Sequence, residues 1–185
     1  LISDSSFNGQ SVLLEAGGAS PYTWDHESSS LILAWPRQCD QDLWILDVAN
    51  PASFAQALSG PSVRQVPWTA DSNGKVYFAS DPCNSPSLSI LTFDLQTSAT
   101  ATEQVSDGRV EQSFDVSADG TVLVYEKADS GFAAPYQIYK LDTSTGMESP
   151  LTQRPPGTDE RNPALSPDGS RVAFLRRTTG SDQAD

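Results

Sequence analysis

Asn162-Pro-Ala-Leu-Ser-Pro-Asp168-Gly169-Ser-Arg-Val-Ala-Phe174 reads as two strands folded about a tight turn. In Ser166-Pro167-Asp168-Gly169 the proline presets φ for the second residue of a turn and aspartate tolerates the third. Glycine takes the left-handed conformation that a β-branched residue would resist. The residues after the turn alternate with period two, Val172 and Phe174 against Ala173 and Leu175, which predicts a strand buried on both faces.

The same pattern recurs upstream. Ser113-Phe-Asp-Val-Ser-Ala-Asp119-Gly120-Thr-Val-Leu-Val-Tyr125 places its Asp-Gly pair 49 residues before the first. Val66-Pro-Trp-Thr-Ala-Asp-Ser-Asn73-Gly74-Lys-Val-Tyr-Phe78 follows 46 residues before that, with a turn one residue longer. Tyr22-Thr-Trp24-Asp-His-Glu-Ser-Ser-Ser30-Leu-Ile-Leu-Ala-Trp35 fits at a further 44 residues, its turn without glycine. A second anchor keeps this period: Leu43 to Asp47, Ile90 to Asp94 and Ile138 to Asp142 are apolar runs that each end in aspartate. The last leads into a Thr143 to Gly146 turn and a short strand over Glu148 to Thr152.

Each period therefore holds four strands in about 44 to 49 residues, close to the ~40–45 residues of a propeller blade. The expected fold is all-β, with antiparallel four-stranded blades in a single repeat region over 1–185. The repeats fall at about 19–60, 61–108, 109–157 and a truncated 158–185. Ser11 to Leu14 reads as a fourth strand without its preceding three, so the inventory is one strand, three blades and a half. That describes a partial or open propeller, with open blade edges available for self-association by strand addition. Pro51 to Leu58 is the best helix candidate, one or two turns decorating a loop.

Of the 185 residues, 37% are hydrophobic and 19% charged, which suits a folded soluble domain. The 11 basic and 24 acidic residues give a net charge of −13, so nucleic acid is not an expected partner. Residues 1–153 carry 6 basic and 19 acidic groups, whereas 154–185 carry 5 of each. This asymmetry reads as a solubilising surface or as steering toward a basic partner. No apolar run is long enough to insert in a membrane, and no signal peptide is evident. Leu1 in place of methionine reads as the start of an excised or processed segment.

Leu151-Thr152, Pro155-Pro-Gly-Thr-Asp159, Asn162-Pro163 and Ser166-Pro-Asp-Gly-Ser-Arg-Val-Ala-Phe174 together resemble the PD40 (WD40-like) repeat of TolB-type bacterial β-propellers. The resemblance covers roughly residues 10 to 178 and extends to Ser117-Ala-Asp-Gly120 in the third copy. It implies a non-catalytic extracytoplasmic propeller, periplasmic or extracellular, binding protein or peptide through loops at one end of its blades. In that family the propeller docks envelope proteins such as a peptidoglycan-associated lipoprotein. Two alternatives share the repeat: the substrate-gating propeller of a prolyl-oligopeptidase-like serine peptidase with its catalytic domain elsewhere, and the sensor region of a membrane-bound transcriptional regulator.

Candidate chemistry is sparse. His26 is the single histidine and sits in a polar turn, and no Gly-x-Ser-x-Gly elbow occurs, so no catalytic residue is assigned. Asp40 with Asp42, or Asp115 with Asp119, offer oxygen ligands without the spacing of a calcium loop, and no metal or cofactor is expected. Cys39 and Cys83, 44 residues apart, occupy equivalent loops of neighbouring blades and allow one disulfide or two free thiols. The extracytoplasmic setting that the resemblance implies favours the bond, whereas loops of adjacent blades reach the Cα separation of about 7 Å that it needs only if they lean together, so both states stay open. Trp24 and Trp68 lie on strands before the turn and are either core between blades or an aromatic binding rim.

Overall fold

The computed structural model describes residues 2–3, 10–11, 22–25, 27, 29–35, 42–50, 55–58, 63–82, 89–97, 102–105, 110–130 and 133–178. Strands β1 (Ile2–Ser3) and β2 (Gln10–Ser11) form an antiparallel pair. The first blade is β3 (Tyr22–Trp24), β4 (Ser30–Trp35), β5 (Asp42–Asp47) and β6 (Ala55–Leu58). The second is β7 (Val63–Ala70), β8 (Lys75–Pro82), β9 (Ser89–Asp94) and β10 (Thr102–Val105). The third is β11 (Val110–Val116), β12 (Val122–Ser130), β13 (Ala133–Asp142) and β14 (Met147–Pro150). A two-stranded sheet, β15 (Thr158–Leu165) with β16 (Val172–Thr178), follows. Each blade is an antiparallel meander in chain order, and among the described residues the sheets do not close into a ring. No helix among them is long and apolar enough to cross a membrane.

The alternation of β8 explains how blades stack. Val76 and Phe78 join Ile32, Leu43 and Phe93 between the first and second blades. Tyr77 and Ala79 point the other way and join Phe114, Val116, Leu123 and Tyr125 between the second and third. A middle strand thus buries both faces, each large side chain contributing about 1.5–3 kcal/mol. β12 repeats the device, with Leu123 and Tyr125 toward the second blade and the equally buried Val124, Glu126 and Ala128 on the opposite face.

Three expectations need correction. The helix over Pro51 to Leu58 is not formed in its second half: Ala55–Leu58 is β6, paired Leu43↔Leu58 and Ile45↔Ala55, while residues 51–54 lie outside the described residues. A fourth strand completes the β5 edge, and pairing there outweighs the helix propensity of alanine. Ser11 pairs with Ile2 in β1 and β2 instead of standing alone, and residues 12–14 lie outside the described residues. β16 is not buried on both faces: Ala173, Leu175 and Arg177 are exposed, since no described element covers them.

Candidate functional site

The turns between first and second strands are built from one recurring part. Asp71 Oδ1 accepts from the backbone nitrogens of Asn73 and Lys75, and Asp71 N donates to the Lys75 carbonyl. Ser117 and Ser166 do the same one and two blades later: each hydroxyl accepts from the first residue beyond the turn, Val122 and Arg171, and each backbone nitrogen donates to that residue's carbonyl. Asp25 replaces the missing glycine turn of the first blade, with Oδ1 accepting from Ser29 N and Ser30 N.

Asp119 and Asp168 sit exposed at the tips, held below the usual carboxylate range by the hydroxyls of Ser117 and Ser166 respectively and by the backbone nitrogens of Thr121 and Ser170. Gly74, Gly120 and Gly169 all have positive φ, as the turn reading required. Gly120 has a second reason to lack a side chain: a Cβ there would lie 2.2 Å from Asp71 Oδ2.

Successive turns are also bonded to one another. Ser72 N donates to the Ala118 carbonyl at 2.7 Å, Ala118 N to the Pro167 carbonyl at 3.1 Å, and Asn73 Nδ2 to the Asp119 carbonyl at 2.8 Å. The turns that carry the motif residues Asn73, Gly74, Asp119, Gly120, Ser166, Pro167, Asp168 and Gly169 are thus linked, through Ser72, Asn73, Ala118, Asp119 and Pro167, into a polar rail that joins the second blade, the third blade and the β15–β16 sheet. Tyr77 runs beneath it, its hydroxyl 3.3 Å from both Asp71 Oδ2 and the Gly120 carbonyl. Burial, reinforced by the Asp71 charge, pushes its ionisation well above the ordinary phenol range.

Beside this rail the first strands β7, β11 and β15 enclose an open cleft of about 530 Å³, lined by Thr69, Ser113, Phe114, Asp115, Asn162, Pro163 and Ala164. Register puts Thr69, Asp115 and Ala164 at one height, paired with Tyr77, Val124 and Ala173 of their second strands. The strand β15 is bulged between Arg161 and Ala164, and Asn162 takes a left-handed φ of 52°. Bulges of this kind redirect side chains beside binding sites. Asn162 N donates to Glu126 Oε2 at 3.1 Å, while its own side chain is exposed at the cleft. Asp115 is half-buried: Oδ1 accepts from Val116 N at 2.9 Å and Oδ2 from Leu165 N at 2.7 Å across the blade boundary.

The junction holding β15 in place is ionic. Asp159 and Glu160 are 1% and 0% exposed. Asp159 Oδ1 accepts from Tyr136 N at 2.7 Å, and its Oδ2 meets Arg161 at 3.0 Å and Arg177 at 3.1 Å. Glu160 accepts from Ile138 N and Thr152 Oγ1 through Oε2 and from Arg176 through Oε1. Arg161 also lies over the Tyr136 ring at 3.6 Å. These carboxylates cap the edge of β13 that the short β14 leaves uncovered, taking the place of a further strand.

The aromatic pair divides. Trp24 is 38% exposed and pairs with Leu31, the register that Ala70 holds opposite Val76, while Trp68 falls within the bulge of β7. Along the backbone the two tryptophans are offset in the repeat, and the side chain of Trp68 lies outside the described residues. Cys39, Cys83, His26 and Asp40 lie outside the described residues. Asp42 accepts from Gln56 Nε2, Asp115 and Asp119 are engaged as above, and no group of three metal-ligating side chains occurs among the described residues.

In the sequence, Ser113, Asn162 and Asp159 are marked as members of the repeat, not as parts of a cleft or an ionic junction, and Glu160 is unmarked. For Asp159 and Glu160 the available signal is the balanced charge of residues 154–185, which reflects internal pairing.

No protein-family model and no curated protein matches the sequence. Solved structures do match. TolB from Acinetobacter baumannii superposes with a TM-score of 0.74 at 18% identity, covering 97% of this chain and 43% of that one. An oligogalacturonate lyase in complex with manganese gives 0.73 at 12% identity, covering 94% and 49%. The tricorn protease gives 0.59 at 14% identity, covering 80% and 14%. The chain spans less than half the length of each. The fold is a TolB-like arrangement of β-propeller blades.

Proposed function

We propose that the chain is a non-catalytic, TolB-like propeller module that binds protein or peptide in the bacterial cell envelope, on the periplasmic or extracellular side. The carrying observation is the cleft across β7, β11 and β15, where hydroxyls, one carboxylate and one amide face an open groove. Such a lining suits the backbone and side chains of an extended polypeptide. The likeness to TolB supports this reading. The likeness to a manganese-bound oligogalacturonate lyase supports a second, a sugar-active enzyme. An oligogalacturonate is a polyanion, however, and a chain of net charge −13 with Asp115 in its cleft repels one. The tricorn likeness leaves room for a propeller that serves a peptidase.

The test is a fluorescence titration of an immobilised synthetic peptide array against the wild-type chain and Ser113→Arg, which fills the cleft. Saturable binding lost in S113R, with the strand spectrum unchanged, supports the binding module. Formation of the ultraviolet-absorbing unsaturated product from oligogalacturonate with manganese overturns it in favour of the enzyme.

A further inference from the structure

We infer that the cleft takes a cationic side chain, the ammonium or guanidinium of a lysine or arginine in a basic peptide, with Asp115 as its anionic partner. This deepens the proposed binding function and rests on it.

Thr69, Ser113, Asn162 and Asp115 supply the polar side chains of the cleft, and Asp115 is the one carboxylate among them. An ionised carboxylate offers about four acceptor sites, and Val116 N and Leu165 N occupy one on each oxygen, leaving acceptor capacity on both. The repeat points the same way: Thr69 of β7 and Ala164 of β15 hold the register that Asp115 holds in β11, so of these three described positions Asp115 alone carries a charge.

The arginines of β15 and β16 nearest Asn162 that the structure describes with ion-pair partners are turned elsewhere. Arg161 stacks on Tyr136 and pairs with Asp159, and Arg176 and Arg177 serve Glu160 and Asp159. Asn162, turned by the left-handed bulge, adds an amide able to bond the peptide backbone of the same ligand. Beyond the cleft, the surplus of −13 steers a cation toward the chain and disfavours an anion.

Labelled tetralysine, tetra-norleucine and tetraglutamate are the probes, titrated against the full chain by fluorescence anisotropy at low and high salt. Binding of tetralysine alone is expected, weakening as salt rises. Asp115→Asn keeps an acceptor for Leu165 N and removes the charge, and a loss of about tenfold or more is expected. Glu27→Gln removes one exposed charge outside the cleft and should change affinity less than about twofold. Ser113→Lys leaves Asp115 in place, supplies an internal cation and should abolish tetralysine binding, so the proposal does not depend on the folding of D115N alone.

Equal losses in D115N and E27Q, or tetralysine binding that survives S113K, would overturn the cation assignment and leave the binding module standing. Failure of tetralysine to bind overturns the assignment too. If the peptide array also shows no binding that S113R removes, the module reading fails with it.

Discussion

Glu160→Ala would break the junction between the third blade and β15–β16 at its most buried point. The carboxylate accepts from Arg176 Nε at 3.0 Å and Nη2 at 2.7 Å, from Ile138 N at 3.4 Å, and from the Thr152 hydroxyl. Removing one member of a buried ion pair costs about 3–5 kcal/mol, because the other charge is stranded. Arg176 is 38% exposed and can turn to water, which moves the cost to the lower end. The Ile138 N–H, left without its acceptor, contributes part of the ~1–3 kcal/mol of an unmade buried bond. The expected loss is about 3 kcal/mol, or a melting point lower by about 6–12 °C for a chain of this size.

Glu160→Gln retains an acceptor and should lose less. Pairing it with Arg176→Met should recover part of either single loss, a coupling of about 0.5–3 kcal/mol. Native-state hydrogen exchange localises the effect: the Tyr136 and Ile138 amides should exchange faster, while Tyr77 and Ile90 in the second blade keep their protection. A melting point within about 2 °C of wild type, with the Ile138 amide still protected, would refute the reasoning.

Gly120→Ala should destabilise by more than about 2 kcal/mol, since it combines a left-handed backbone with a Cβ 2.2 Å from Asp71 Oδ2, whereas Gly146→Ala, with φ 70° and nothing within 4 Å, should cost only about 1 kcal/mol. Urea unfolding compares the two. In acid, burial alone would raise the Asp159 carboxyl, but Tyr136 N–H, Arg161 and Arg177 hold it below its ordinary 3.8. Its stabilisation is therefore complete above that value and disappears as pH falls through the lower folded value, so Asp159→Asn should flatten the acid limb of the stability curve. In alkali, Tyr77 keeps its proton in the fold through burial and the Asp71 charge, so stability should fall as pH rises past its ordinary 10.0; Tyr77→Phe should remove that limb, as pH-dependent melts would report.

What the sequence disclosed were features written in neighbouring residues. The Ser-Pro-Asp-Gly turn at 166–169 needs only its own side chains to form, and so does the aspartate that ends each third strand. Asp142 shows why that second anchor recurs: its Oδ1 accepts from Ser144 N at 3.0 Å and Thr145 N at 3.1 Å, opening the turn to β14. Asp94 does the same with Gln96 and Thr97, and Asp47 with Ala49 and Asn50. What escaped the reading depends on distant partners. Alanines at 55 and 57 favour helix locally, and only the open edge of β5 decides otherwise. Asp115 gains its position from Leu165, 50 residues away, and Asn162 from a bulge that no turn signal marks. The burial of Asp159 and Glu160 follows from β13, whose edge β14 stops short of covering, and no neighbouring residue marks it.

The three junctions between blades are consequently not alike. Those on either side of the second blade are apolar clusters, whose strength changes little with salt or moderate acid. The one beyond the third blade uses Glu126, Asp159 and Glu160 against arginines and backbone nitrogens, and Asp159, held below its ordinary value, makes its strength respond to acid. In a repeat array each unit is stabilised by its neighbours, so β15–β16 is the unit whose docking the solution can adjust. The cleft lies across this same junction, with Asp115 and Asn162 each bonded over it. A ligand that touches both sides of the cleft must therefore favour the docked state by its difference in affinity for docked and undocked forms, and the ionic clamp in turn sets how well formed the cleft is before the ligand arrives.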